Sequence, residues 1–370
     1  MEQMKNRVYM NVQCRVLCIM IGITLVFAAC STDFELNIPV ETTVVYGVLD
    51  QTEDTQWVKV NKSFLGNGNN YDYAAINDCT SYDNVTVTVE ENSSGMIWAL
   101  NEMYVPVDPA SGIFYTDSQK VYYFVPSALD PSSTYTLKAE FDDNRPAVSS
   151  TTSLIGNFDF ATLFKYQLIS GVEFENGTGL ANSNYVDNFK IQWGLGSEAK
   201  RYDLNLRFHY TEHFISGGSE DKFINWYQGS QLAATADGIG QLEKVVNGEV
   251  FYDYLQTHPD LVDVSNVLKR VARNVEFILT AAHDELSTFI EINQPVSGIV
   301  TERPTYTNVS NGIGIFSARS KVILDRPSSL HPKFTFKTNS VEELSLGQYT
   351  NDLKFCSDSL AYTSEMFYCP

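Results

Sequence analysis

The sequence predicts a mainly β protein: an N-terminal immunoglobulin-like β-sandwich, then a second β-sandwich-like domain carrying helical insertions. Two observations predict it. Short runs of alternating apolar and polar residues recur between turn residues, the signature of half-buried strands. Aromatic residues make up 13% of the chain, and their side chains favour pleated, half-covered surfaces. Hydrophobic content of 44% excludes a disordered chain, because that much apolar surface can build a core.

The elements follow in order. Strand-like runs are TVVYGVL (43–49), QWVKVNKSF (56–64), NVTVTVEE (84–91), MIWAL (96–100), KVYYFV (120–125), TYTLKAEF (134–141) and AVSSTTSL (147–154). Val85, Val87 and Val89 share one face, as do Tyr135, Leu137, Ala139 and Phe141. About seven such strands in about 110 residues fit an immunoglobulin-like sandwich, here over 43–155. The polar loop LGNGNNYDYAAIND inside it is a better place for function than the strands. A polar stretch, ENGTGLANSNYVDN, lies near the start of the second region, 156–325. There FKIQWGL, RYDLNLRFHYTEHF, KFINWYQG and NVEFILTA read as strands, and GIFSARSKVIL as the closing one. Val250, Phe251, Tyr254, Leu255 and His258 fall on one helical face, and DELSTFIEI reads as a short helix. In the tail, 326–370, Ser340 and Glu343 have capping-box spacing ahead of Leu344 and Leu346.

The start of the chain reads as a targeting segment. Lys5, Arg7 and Arg15 precede an apolar run over 16–29. That run is short of the about 20 residues a bilayer span needs, but it suits a secretory signal behind a basic segment. Ala28 and Ala29 then meet Cys30. The pattern resembles a bacterial lipoprotein signal, which implies that residues 1–29 are removed and that Cys30 is lipidated ahead of a tether, 30–42. Export also bears on Cys79, Cys356 and Cys369, since oxidising compartments permit disulfides. A Cys356–Cys369 bridge would close a short C-terminal loop, although three pairings fit the sequence. The net charge of −20 argues against nucleic-acid binding, which needs basic side chains against phosphates.

Several motifs invite an enzymatic reading and fail on context. HYTEH (209–213) matches a zinc-peptidase pattern, whose chemistry needs a helix. Here the flanking residues alternate as in a strand, which sets His209 and His213 about 13 Å apart with Glu212 on the opposite face. SEAK (197–200) lacks the companion motifs of penicillin-binding enzymes, and NGIGIFS (311–317) runs into a strand where a dinucleotide site needs a helix. Its glycines fit a tight turn or close backbone approach instead. No catalytic residue, metal site or cofactor is expected, and the chain is read as a non-enzyme.

The lipoprotein signal, TVVYGVLD followed by QWVKVNKSF, then NVTVTVEE and TYTLKAEF, and later YTNVSNGIGIFSARS and YTNDLKFC, together resemble one family. It is domain-of-unknown-function family 4249, outer-membrane lipoproteins of Bacteroidetes. The resemblance implies a lipid-anchored protein, facing the cell exterior, that serves as a non-catalytic binding or accessory partner of a TonB-dependent receptor. The alternative is a carbohydrate-binding or adhesive surface protein, with Tyr71, Tyr73, Trp98 and Trp226 as aromatics that could stack on a glycan. Ser359, in the tripeptide DSL, resembles the short O-glycosylation sequon of such organisms.

Overall fold

The computed structural model describes residues 41–63, 76–107, 118–177, 184–294, 305–358 and 369. Cys30, Tyr71, Tyr73 and Ser359, singled out in the sequence, therefore lie outside the described residues. Fifteen strands are described. In the N-terminal half they are β1 (Thr43–Asp50), β2 (Gln56–Lys62), β3 (Val85–Glu91), β4 (Met96–Ala99), β5 (Asn101–Pro106), β6 (Ser118–Phe124), β7 (Thr134–Phe141) and β8 (Val148–Ser153). Then follow β9 (Phe189–Gly194), β10 (Ala199–Phe214), β11 (Ser219–Leu232), β12 (Gln241–Val246), β13 (Val267–His283), β14 (Ile313–Leu324) and β15 (Phe355–Cys356). The protein is mainly β, as the period-two patterning predicts.

Nine strands form one sheet, in the order β11-β10-β13-β14-β1-β2-β6-β5, with β15 joined to β13. A four-stranded sheet, β4-β3-β7-β8, and a two-stranded one, β12-β9, complete the set. Alternation explains which faces meet. Val45 and Leu49 of β1, Val58 and Val60 of β2, and Tyr122 and Phe124 of β6 pack with Val87 and Val89 of β3 and Tyr135, Leu137 and Ala139 of β7. That is the N-terminal sandwich. A second core joins Tyr202, Leu204, Leu206 and Phe208 of β10 and Phe277 and Leu279 of β13 to Ile191 and Trp193 of β9 and to residues of the intervening helices. β14 serves both cores, through Phe316 and Ala318 in one and Leu324 in the other. These β14 residues sit at even positions, so both cores lie on the same side of the nine-stranded sheet.

The two expected regions are one compact unit, Thr42–Pro370. The reason is a long-range strand pairing: β14 lies parallel to β1, with Tyr46 opposite Ile315 and Val48 opposite Ser317. Parallel neighbours need a crossover connection, and here most of the chain is that crossover. The described part of the tail joins the sheet, because β15 pairs with β13 through Phe355 and Cys356. Cys356 is bonded to Cys369, 13 positions further along the sequence, with Cα atoms 5.4 Å apart. Cys79 is free.

Smaller differences have local causes. Strand β5, NEMYVP, has no sequence signal because nearly all of it is exposed and carries no alternation of burial. In the helix Gly248–Gln256 the buried face is Phe251, Tyr252 and Leu255, whereas Val250 is exposed. Ser340 is not a helix cap. The helix Thr338–Leu346 begins before it, and its buried hydroxyl accepts hydrogen bonds from the Phe174 and Glu175 amides at 3.0 and 3.2 Å. Glu343 accepts instead from the Tyr185 hydroxyl at 2.6 Å.

Candidate binding surface

Two of the four expected stacking aromatics are described, and neither is presented to a ligand. Trp226 is buried in the second core, 5.3 Å from the Phe251 ring and 6.0 Å from Phe174. Trp98 is half-buried, with Phe124 at 5.3 Å and Tyr135 at 6.4 Å. Both occupy inward positions of their strands, where an aromatic side chain gains most from burial.

The HYTEH segment is part of β10, so its histidines do not converge as they would on a helix turn. Glu212 points into the protein, where Arg270 Nε donates to one carboxylate oxygen at 2.7 Å and Lys222 Nζ to the other at 2.6 Å. Burial alone would raise the Glu212 pKa. The hydrogen bonds from Lys222 and Arg270 outweigh it and hold the carboxyl below its ordinary value. Arg270 is fully buried and also donates to the carbonyls of Leu261 and Leu353, each at 2.8 Å. This cluster is satisfied and structural. SEAK turns at Glu198 into β10, where Lys200 Nζ donates to the Ala234 carbonyl at 2.7 Å. The NGIGIFS glycines do what strand geometry asks: Gly314 has φ 114°, and a Cβ there would meet the Val45 carbonyl oxygen.

With both cores on one side, the other face of the nine-stranded sheet is left with little cover among the described residues. The helix Asp284–Asn293 crosses its middle, and Phe289 lies 6.1 Å from Tyr46. On the N-terminal side of this helix, β1, β2, β6 and β5 present Tyr46, Trp57, Tyr123 and Met103. Tyr46, Trp57 and Met103 are between 42% and 46% exposed. Trp57 and Tyr123 are cross-strand partners with ring centroids 5.4 Å apart. Two residues from Trp57 on β2, opposite Tyr46, sits Lys59, which donates to Gln119 at 2.6 Å. Burial pushes its ammonium pKa down. An exposed apolar cluster with a polar rim is the form of a protein-contact surface.

On the other side, β11, β10 and β13 present a polar and aromatic grid. Phe223, Asn225 and Tyr227 of β11 lie opposite His209, Arg207 and Asn205 of β10. Arg207 and Asn205 in turn lie opposite Glu276 and Ile278 of β13. Both sets of outward residues were legible in principle. If Val58 and Val60 face in, Trp57 and Lys59 face out; if Leu204, Leu206 and Phe208 face in, Asn205, Arg207 and His209 face out.

Away from this face, a groove of about 550 Å³ is lined by Leu168, Glu173, Asn188, Lys190, Gln192 and Lys337. Its charges are matched internally: Lys337 lies 2.8 Å from Glu173, and Lys190 lies 3.1 Å from Glu243. Among the described residues no helix is long and apolar enough to cross a membrane.

No curated protein matches the chain. Among solved structures, the C-terminal globular domain of an oligosaccharyltransferase from Pyrococcus abyssi is similar at 13% identity, with a TM-score of 0.21. The match covers 64% of this chain and 46% of that one. The family model described as a domain of unknown function, DUF4249, matches residues 31–322. Most of the chain, including the pairing of β1 with β14, falls inside that match, and the protein belongs to the DUF4249 family.

Proposed function

We propose that the protein is a lipid-anchored lipoprotein of the outer membrane, facing the cell exterior, and a non-catalytic accessory partner of a TonB-dependent receptor. The anchor is Cys30, behind the basic segment and the apolar run over 16–29; the family match begins at the next residue. More than one acyl chain makes such an anchor stable, since a single chain holds only marginally. The observation that carries the docking role is the exposed cluster of Tyr46, Trp57 and Met103 on the uncovered face of the large sheet. Large apolar side chains grouped in this way lose contact with water when a partner covers them.

The test is copurification of the native lipoprotein from detergent-solubilised membranes. The wild type is expected to bring down a receptor-sized outer-membrane β-barrel protein, and Tyr46→Ser/Trp57→Ser to lose at least ninety per cent of it while remaining folded and membrane-bound. Equal recovery with both proteins would remove the docking role. A Cys30→Ala protein that still fractionates with the outer membrane would remove the anchor.

A further inference from the structure

We propose that the grid on β11, β10 and β13 is a binding site for an acidic glycan, one bearing carboxylate or sulfate groups. This goes beyond the docking role and rests on different residues, on the far side of the helix Asp284–Asn293.

The rings come first. Phe223 and Tyr227 are 50% and 58% exposed and point to the same face of β11. Four residues along a strand separate them by roughly 13 Å, far enough for successive sugar units of one chain to meet both. A pyranose has a C–H face that packs on an aromatic ring, whose face is electron-rich. It also has hydroxyls that need donors and acceptors between the rings. Asn225 sits there, exposed. Its Oδ1 accepts from Arg207 Nε at 2.9 Å and from Asn205 Nδ2 at 3.1 Å. Those bonds orient the amide and leave its Nδ2 as a donor. The Arg207 guanidinium lies 4.6 Å from the Phe223 ring centroid, which holds that ring in place.

Charge then selects the class of glycan. Glu276, 12% exposed, is ringed by His209 Nε2 at 3.2 Å, Lys333 Nζ at 3.6 Å and Arg207 Nη1 at 3.7 Å. The His209 Nε2 atom is buried and makes no well-aligned hydrogen bond, even to this carboxylate. Arg273 is exposed and donates Nε to Thr211 Oγ1 at 2.7 Å, with no carboxylate partner among the described residues. Lys333 lies closer still to Asp325, at 3.3 Å, and Asp325 also pairs with Arg326. Arg207, Arg273, Lys333 and Arg326 thus face Glu276, Asp221 and Asp325, and the cation left over in a chain of net charge −20 is Arg273. A neutral sugar has no use for that excess. Anionic groups spaced along a glycan do, and guanidinium groups meet carboxylate and sulfate geometry in two-point contacts. A peptide partner fits less well, because polar Asn225 separates the two rings and breaks any apolar patch.

The experiment is affinity electrophoresis of the full-length protein in detergent through gels containing polygalacturonate, dextran sulfate or neutral dextran. The wild type is expected to be retarded by at least one acidic polymer and not by neutral dextran, with retardation falling as salt rises. Phe223→Ala and Tyr227→Ala, both on exposed rings, are expected to weaken that binding at least tenfold. Arg273→Gln should do the same, with an unchanged circular dichroism spectrum. Migration through both acidic gels equal to that in a blank gel overturns the proposal. So does equal retardation by neutral dextran, or binding that survives loss of both rings. Receptor copurification reads the other side of the face, so the two readings fail separately.

Discussion

Replacing Arg270 with alanine is expected to destabilise the protein by about 3–5 kcal/mol, the range for breaking a buried ion pair from one side. Glu212 would remain 3% exposed, with Lys222 as its surviving cationic partner. The carbonyls of Leu261 and Leu353 would also lose their donor. These groups come from the segment before β13 and from the tail, so one guanidinium fastens three stretches of chain. An apolar replacement of the pair, Arg270→Met/Glu212→Leu, is not expected to restore wild-type stability, because the carbonyls stay unsatisfied. The loss should depend on pH with a definite sign. The folded-state pKa of Glu212 lies below its unfolded value near 4.5. Its contribution is therefore fully present above about pH 4.5 and is lost as pH falls through the folded pKa. The gap between wild type and Arg270→Ala should narrow on acidification. Denaturant midpoints measured at pH 7 and pH 4 check this; a variant within about 1 kcal/mol of wild type at pH 7 would contradict it.

Gly314→Ala is expected to cost about 3 kcal/mol, the upper end for a residue forced into a sparsely populated backbone region. Two causes add at this position. Its φ of 114° disfavours any side chain, and a Cβ would sit 1.9 Å from the Val45 carbonyl oxygen. The second cause is backbone against backbone, so the change must separate β14 from β1. Gly95→Ala is the control: its φ is 70° but nothing lies within 4 Å of the added carbon. That variant should lose about 1–2 kcal/mol, the cost of the left-handed backbone alone. Thermal unfolding of the two variants side by side separates strain from collision, and equal losses would show that the close approach of β1 and β14 does not matter.

Most strands were legible because burial on one face writes itself as alternation. TYTLKAEF is both the expected and the observed strand, with Tyr135, Leu137 and Ala139 inward. What alternation cannot carry is which strands are neighbours. The β1–β14 pairing joins residues 269 positions apart, as Val44 and Ile313 are, and no local pattern records it. Nor does alternation carry that one strand, β14, serves both cores. β5 was missed because an exposed edge strand has no buried face to produce a period. Trp226 was misread because aromatic content alone does not say which face a ring occupies; its even position, next to buried Ile224, did. The ion pair of Glu212 with Arg270 spans 58 residues and needed the fold to be seen. By contrast, Trp57 and Arg207 could have been placed outward from sequence by asking where each strand's apolar residues point.

A partner seated on the uncovered face of the nine-stranded sheet must lie against Trp57. Site-specific photo-crosslinking in intact cells tests this directly, with a benzophenone side chain placed at Trp57 and, separately, at exposed Thr86 on the outer side of the four-stranded sheet. A covalent adduct with a receptor-sized outer-membrane protein is expected from position 57 and none from position 86. Adducts of equal yield from both positions, or an adduct from 86 alone, would contradict docking on this face.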